Sequence, residues 1–298
     1  MQLQKFQGEN PNVTKYVFTT ADMVAEAVLY RYENKRTVIC CSVQSGCPVG
    51  CIFCGTGKKF IRNLTAFEIT EQIRLVLGDA NLGDTNSATE RFQIMFMSMG
   101  EPMLNWPNVD TALFQLHRKY PNAELLLSTI GVNDRVTFRD ICETSRYIPK
   151  LGLQFSLHSG WEEERNHLIP FGNKMTIRDI RDAGIAWNKV TNRPVFLNYC
   201  VTTDGTSNLD SAEVGRLMDI FSPEVFYFTF SAVCLPTEGK FKSSYSRSLE
   251  EKRLSRAMET FLSQGYNVRT FNPAGQDDIG GGCGQLWFVQ EWFKKHDK

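Results

Sequence analysis

From about residue 36 onward, short apolar runs alternate with stretches whose apolar residues recur at helical spacing. The strand-like runs are Thr37–Val43, Phe92–Met97, Glu124–Ser128, Leu153–His158, Val195–Val201, Val225–Phe230 and Tyr266–Phe271. The helical stretches are Thr65–Leu77, Pro107–Lys119, Arg135–Ser145, Ile177–Asn188, Ser211–Phe221 and Leu249–Gln264. Thr65 and Glu68 form a capping-box pair, and Pro107 stands where a first-turn proline is tolerated. Runs that are apolar almost throughout suit parallel strands buried on both faces. Such β–α units in series leave two architectures, a doubly wound sheet or a barrel. A chain of 298 residues has the length of one α/β barrel.

In either architecture chemistry gathers at the carboxyl ends of the strands. Cys47, Cys51 and Cys54 follow the first strand, in Ser45-Gly-Cys-Pro-Val-Gly-Cys-Ile-Phe-Cys-Gly-Thr-Gly57. Gly100 and Glu101 follow the second, Ser128 ends the third and His158 ends the fourth. A closed structural zinc site takes four protein ligands, so three cysteines at Cys-x3-Cys-x2-Cys spacing need a fourth from elsewhere. Three thiolates on a 4Fe–4S cluster instead leave one iron open to a further ligand. A phosphate-loop reading of Gly55-Thr-Gly-Lys-Lys59 fails, because that motif requires Gly-x4-Gly-Lys-Ser/Thr.

Lys plus Arg and Asp plus Glu both number 33, a balance unlike the usual basic excess of a sequence-independent nucleic-acid binder, so any such contact rests on local patches or shape. Arg31/Lys35/Arg36, Lys58/Lys59/Arg62 and Lys240/Lys242 are the local basic groups, and Phe60, Trp106 and Trp161 the stacking candidates. Nine cysteines, an odd number with five inside residues 40–54, do not form a secreted disulfide framework. The polar amino terminus lacks a signal-peptide core, and the longest uncharged apolar run, Val225–Pro236, is too short for a membrane span. A cytoplasmic, monomeric protein without membrane association is expected.

The cysteine spacing is similar to that of the radical S-adenosylmethionine superfamily. Further stretches narrow the resemblance: Arg62-Asn-Leu-Thr65, Phe96-Met-Ser-Met-Gly-Glu-Pro-Met-Leu-Asn105, Ser128-Thr-Ile-Gly131, Ser156-Leu-His158 and Asp277-Asp-Ile-Gly-Gly-Gly-Cys-Gly-Gln-Leu286. From about Val24 to Leu286 the chain resembles the RlmN/Cfr family of RNA adenine methyltransferases, a short member without the family's amino-terminal accessory domain. The resemblance implies a partial (β/α)6 barrel of TIM type. It divides the chain into an extension (1–36), the barrel (37–272) and a carboxy-terminal segment (273–298).

It also implies residue roles. Cys47, Cys51 and Cys54 would hold a 4Fe–4S cluster. Gly100, Glu101, Ser128, Ser156, Leu157 and His158 would contact S-adenosylmethionine, two molecules of which are used per turnover. Cys283 would accept a methyl group, Cys40 would later form a disulfide with it, and Glu26 would take a proton from the substrate ring. Cys40 and Cys41 are adjacent, so on a strand only one of them faces inward. The expected reaction is methylation of an adenine ring carbon, C2, in ribosomal or transfer RNA, with flavodoxin or ferredoxin as electron donor. The ring carbon is electron-poor, which is why covalent catalysis through a cysteine is wanted. A smaller or non-RNA substrate and a non-catalytic zinc scaffold are the alternatives. The chain departs from the family at Phe230–Pro236, which lacks the family's asparagine, at Gly280–Gly282 before Cys283, and at Asn198, where the family has Glu. Cys142, Cys200 and Cys234 read as core fillers.

Overall fold

The computed structural model describes residues 1–33, 35–57, 59–83, 90–201, 209–232, 247–271, 279–280, 286 and 288–296. Among these residues are twelve strands: β1 (Gln2–Gln7), β2 (Val13–Thr19), β3 (Val24–Arg31), β4 (Arg36–Cys41), β5 (Gln44–Gly46), β6 (Phe60–Asn63), β7 (Arg91–Phe96), β8 (Glu124–Thr129), β9 (Leu151–Ser156), β10 (Val195–Val201), β11 (Phe226–Ala232) and β12 (Val268–Phe271). The helices are α1 (Ala66–Asp79), α2 (Trp106–Lys119), α3 (Arg135–Tyr147), α4 (Glu162–Leu168), α5 (Ile177–Thr191), α6 (Ser211–Ile220), α7 (Arg247–Ser263) and α8 (Phe288–His296).

Ten strands make one sheet in the order β1-β2-β3-β4-β7-β8-β9-β10-β11-β12. From β4 to β12 every neighbouring pair is parallel, the seven strands expected from the apolar runs. The other edge of β4 pairs antiparallel with β3, so β4 is already occupied on both sides and the barrel stays partial. Strands β1 to β3, an antiparallel meander, had no counterpart in the sequence reading. Neither had the β5·β6 hairpin, α4 or α8.

Side chains alternate across each strand. Ile39 and Cys41 of β4, Ile94 and Phe96 of β7, and Leu125 and Leu127 of β8 enter the main core. There they meet the apolar stripes of the covering helices, such as Ile69, Ile73 and Val76 of α1 and Val109, Leu113 and Leu116 of α2. Val38, Cys40, Met95 and Leu126 point to the opposite face and pack with Ile279 and Leu286 of the carboxy-terminal segment. Burial of these two layers is the main driving force for the fold. Helix α1 starts at the expected capping box: Thr65 accepts from the Glu68 amide, and the Glu68 carboxylate accepts from the Thr65 amide. No helix among the described residues is long and apolar enough to cross a membrane.

Candidate active site

The three-cysteine loop joins β5 to β6. Its entry is fixed at Gly46, whose φ of +81° and closeness to Lys59 exclude a side chain: an added Cβ would sit 2.0 Å from the Lys59 carbonyl oxygen. The Cys47 amide donates to that same carbonyl at 2.7 Å. Two tight turns follow, Cys54 N–H to Cys51 O at 3.1 Å and Gly57 N–H to Cys54 O at 2.9 Å. Ile52 N–H to Leu168 O anchors the loop on the end of α4 at 3.1 Å.

Cys47, Cys51 and Cys54 are partly buried and line a single cleft with Ser98, Gly100, Glu101, Ser128, Ser156 and His158. The cleft encloses about 930 Å³, its open mouth included, within the range of cofactor sites. Burial pushes the Cys47 thiol up to about 12, with the nearby Cys54 and Glu101 adding to the effect. Burial, then Cys54 and Cys47, push the Cys51 thiol well above its ordinary value. Thiols whose ionisation burial and neighbouring cysteines disfavour, as at Cys47 and Cys51, are a poor arrangement by themselves and a good one around a shared cationic centre. The donor set therefore fits a cysteine-ligated iron–sulfur cluster, which also has one iron free for a further ligand. No three His, Cys, Asp or Glu side chains among the described residues are grouped to hold one metal ion. Irons of a cubane sit apart, so its cysteines need not converge as tightly as the ligands of a single ion.

Glu101 caps the 3-10 turn Pro102–Asn105 and is 3% exposed. Its carboxylate accepts from the Thr129 hydroxyl at 2.5 Å, the Met103 amide at 3.0 Å and the Ile130 amide at 2.9 Å. Burial outweighs these donors and pushes its carboxyl up to about 7. A bound ammonium group would supply the compensating charge. Gly100 before it has φ +99°, and a Cβ there would lie 2.6 Å from the Gln44 side chain. Gln44 in turn accepts from the Glu101 amide at 2.8 Å.

Strand register aligns the remaining cleft residues. Ser128 on β8 pairs with Gln154 on β9, and Ser156 with Asn198 on β10. Gln154 donates to the Ser128 hydroxyl at 3.0 Å, and Ser231 to Asn198 Oδ1 at 2.7 Å. His158 has φ +65° and is buried, and its Nδ1 accepts from the Cys200 amide at 3.0 Å. Burial, with Arg165 nearby, lowers it to about 3, so it is a neutral imidazole whose proton is on Nε2. Arg165 is fully buried and donates to the carbonyls of Ile130, Met175 and Ser156, tying the ends of β8 and β9 together.

The other expected site residues fall elsewhere. The Leu157 side chain is in the main core and is not part of the cleft lining, and its amide donates to the Asn198 carbonyl at 2.9 Å. Cys40 lies on the inner face beside Ile279 and Leu286, whereas Cys41 enters the core against the helices. Glu26 is fully buried outside the cleft lining, with Oε2 at 2.6 Å from Lys15 Nζ and Oε1 accepting from the Phe288 amide at 2.9 Å. Cys283, Cys234, Lys58, Lys240 and Lys242 lie outside the described residues. Gln154, Asn198 and Cys200 line the cleft without having been read as site residues. Gln154 stands two positions before Ser156, and Cys200 two after Asn198, so strand alternation puts each on the same face as its cleft neighbour once the strand pairing is known. Among the basic groups, Arg62 is bound to Asp22 and Glu68, and Arg31 to the Pro11 carbonyl. Trp106 is in the core, while Phe60 and Trp161 remain exposed.

A partial parallel barrel with a three-cysteine loop and an acidic strand-end residue in one cleft is the architecture of radical S-adenosylmethionine methyltransferases. A solved radical SAM methyltransferase from Sphaerobacter thermophilus matches 95% of this chain and 80% of its own, with a TM-score of 0.79 and 26% identity. Streptococcus suis SuiB shares the fold alone, with a TM-score of 0.57 and 13% identity over 78% of this chain and 48% of its own. No protein-family profile matches the chain. A probable dual-specificity RNA methyltransferase RlmN of Thermus thermophilus is 32% identical over 95% of this chain and 76% of its own length. That of Deinococcus deserti is 32% identical over 91% and 76%. The chain belongs to the RlmN family of radical SAM RNA methyltransferases. It is an enzyme, which sets the zinc-scaffold reading aside, and its family works with a 4Fe–4S cluster and S-adenosylmethionine.

Proposed function

We propose that this enzyme methylates an adenine ring carbon, C2, in ribosomal or transfer RNA by way of a methylated Cys283. The observation that carries the reading is the shared cleft: Cys47, Cys51 and Cys54 line it together with Glu101, Ser128, Ser156 and His158, and Leu286 closes part of the same wall. The cysteines would hold the cluster. Glu101 would neutralise the amino group of S-adenosylmethionine, Gly100 would let that end approach the backbone, and the neutral His158 would offer its Nε2 proton. Bound together, the two cofactors supply a methyl group and a radical able to abstract hydrogen.

The protein's own part is to present and recycle thiols. The Cys283 sulfur takes the methyl in place of its proton. Cys40, facing the same side as Ile279 and Leu286, would later attack the Cys283 sulfur. Before that attack the S-methyl carbon, having lost one hydrogen to the radical, would bond to the ring carbon and tether the product to Cys283, with one electron returning to the cluster and the ring proton going to a base. The S–S bond then replaces the Cys283–carbon bond, the released carbon takes a proton, and an external dithiol reduces the disulfide. Glu26 would accept the ring proton only when released from Lys15. A flavodoxin or ferredoxin as electron donor, a cytoplasmic location and a monomeric state complete the proposal. The experiment is anaerobic reconstitution with reductant and S-adenosylmethionine, followed by peptide mass spectrometry. With RNA omitted, one methyl group on Cys283 supports the reading, and an unmodified Cys283 under the same conditions rejects it.

A further inference from the structure

Lys15 and Glu26 are both 0% exposed and 2.6 Å apart, on neighbouring strands where Lys15 pairs with Val28 and Glu26 with Val17. Two ionised groups so deep in a protein are retained against a large desolvation cost, and their remaining hydrogen-bonding capacity must be met. Here the carboxy-terminal segment meets it. Lys15 Nζ donates to the Gly280 carbonyl at 3.2 Å and sits 5.0 Å from the centre of the Phe288 ring. Glu26 Oε1 accepts from the Phe288 amide, the first N–H of α8, where a carboxylate also suits the helix dipole. One buried pair therefore grips Gly280 on one flank and Phe288 on the other, and Cys283 belongs to the seven residues between them.

We propose that Lys15 is a positioning residue for methyl acceptance: with Glu26 it fastens both flanks of residues 281–287 to β2 and β3 and so sets where Cys283 can reach. The proposal rests on the reading of Cys283 as methyl acceptor. It gives Glu26 a holding role that precedes and is separate from proton acceptance. Neither residue lines the cleft, so the effect on cofactor binding is indirect and small.

The test compares wild type, Lys15→Met and the double variant Lys15→Met/Glu26→Gln, all reconstituted as holoenzyme. The double variant removes the stranded charge, and the amide oxygen introduced by Glu26→Gln can still accept from Phe288. It therefore separates a folding defect from a lost grip on Gly280. Iron content and binding of S-adenosylhomocysteine are expected to match wild type in the double variant. Cys283 methylation is expected to slow by about 100-fold, as misplacing a reacting group by an ångström does. Amide exchange in Lys15→Met is expected to rise across 279–290, with β8 and β9 unchanged. Wild-type methylation in the double variant would overturn the proposal, as would unchanged exchange at 279–290 in Lys15→Met. A wild-type enzyme without methyl on Cys283 would reject the functional reading instead, while the exchange measurement still decides whether Lys15 fastens the segment.

Discussion

The Thr56 hydroxyl donates to the carbonyl of Leu286 at 2.9 Å, joining two residues 230 positions apart in the chain. Thr56 follows the last of the three clustered cysteines by two residues, and Leu286 follows Cys283 by three. Gln290 repeats the link by donating to the Gly55 carbonyl at 2.8 Å, and Lys59 lies 4.8 Å from the centre of the Phe293 ring. The cysteine loop and the carboxy-terminal segment are thus one assembly. In the Thr56→Val variant the buried Leu286 carbonyl loses its partner, which costs about 1–3 kcal/mol. A lower denaturant midpoint with unchanged slope is the expected result.

Gly100→Ala places a methyl group 2.6 Å from the Gln44 side chain in a backbone conformation that alanine rarely adopts. Gln44 must move, and the Glu101 amide loses its acceptor. The strained φ alone costs on the order of 1–3 kcal/mol. Thermal unfolding is expected to shift down, and S-adenosylhomocysteine binding, measured by calorimetry, to weaken.

Glu101 sets a pH dependence. Its folded carboxyl titrates near 7 because it is buried, against 4.5 when solvated. Between these values the folded chain holds a proton that the unfolded chain has lost. The group's contribution to stability is therefore full below pH 4.5 and is lost as pH rises to 7. Cofactor binding has the opposite sign, because an ammonium group favours the ionised carboxylate. S-adenosylhomocysteine is expected to bind more tightly as pH rises from about 5 to about 7, by up to about tenfold per unit. In Glu101→Gln the slope disappears and affinity falls. A slope retained in that variant would remove Glu101 from the role.

The three cysteines share one iron–sulfur function in this account. Cys47→Ala, Cys51→Ala and Cys54→Ala are each expected to fold, since all three positions are only partly buried, and each to lose most of the bound iron and the brown colour. Iron analysis and visible absorption after anaerobic reconstitution check this. A variant that keeps full iron would show that its cysteine is not a ligand.

The parallel half of the fold could be read from the chain because its strands are apolar on both faces and its helices carry ordinary caps. The amino-terminal meander could not. In β2 and β3 the inward positions include Lys15 and Glu26, two charges that break the apolar pattern of a strand, and their contacts with each other and with Gly280 and Phe288 become visible only in the fold. The helix α8 has nine residues and takes its place from Val289 packed against Val17 and Val24, a long-range contact without local signal. Of the site, the residues set by motif spacing were visible, while those set by strand register, such as Gln154 and Cys200, needed the pairing of β8, β9 and β10.

The most direct test of the central claim is nucleoside mass spectrometry of RNA treated with the reconstituted enzyme, S-adenosylmethionine and reductant. Ribosomal RNA, transfer RNA and free adenosine nucleotides would be compared side by side. The account predicts 2-methyladenosine in one of the RNAs and its loss in Cys283→Ala. Methyladenosine that persists in Cys283→Ala, or that forms only on free nucleotides, would contradict it.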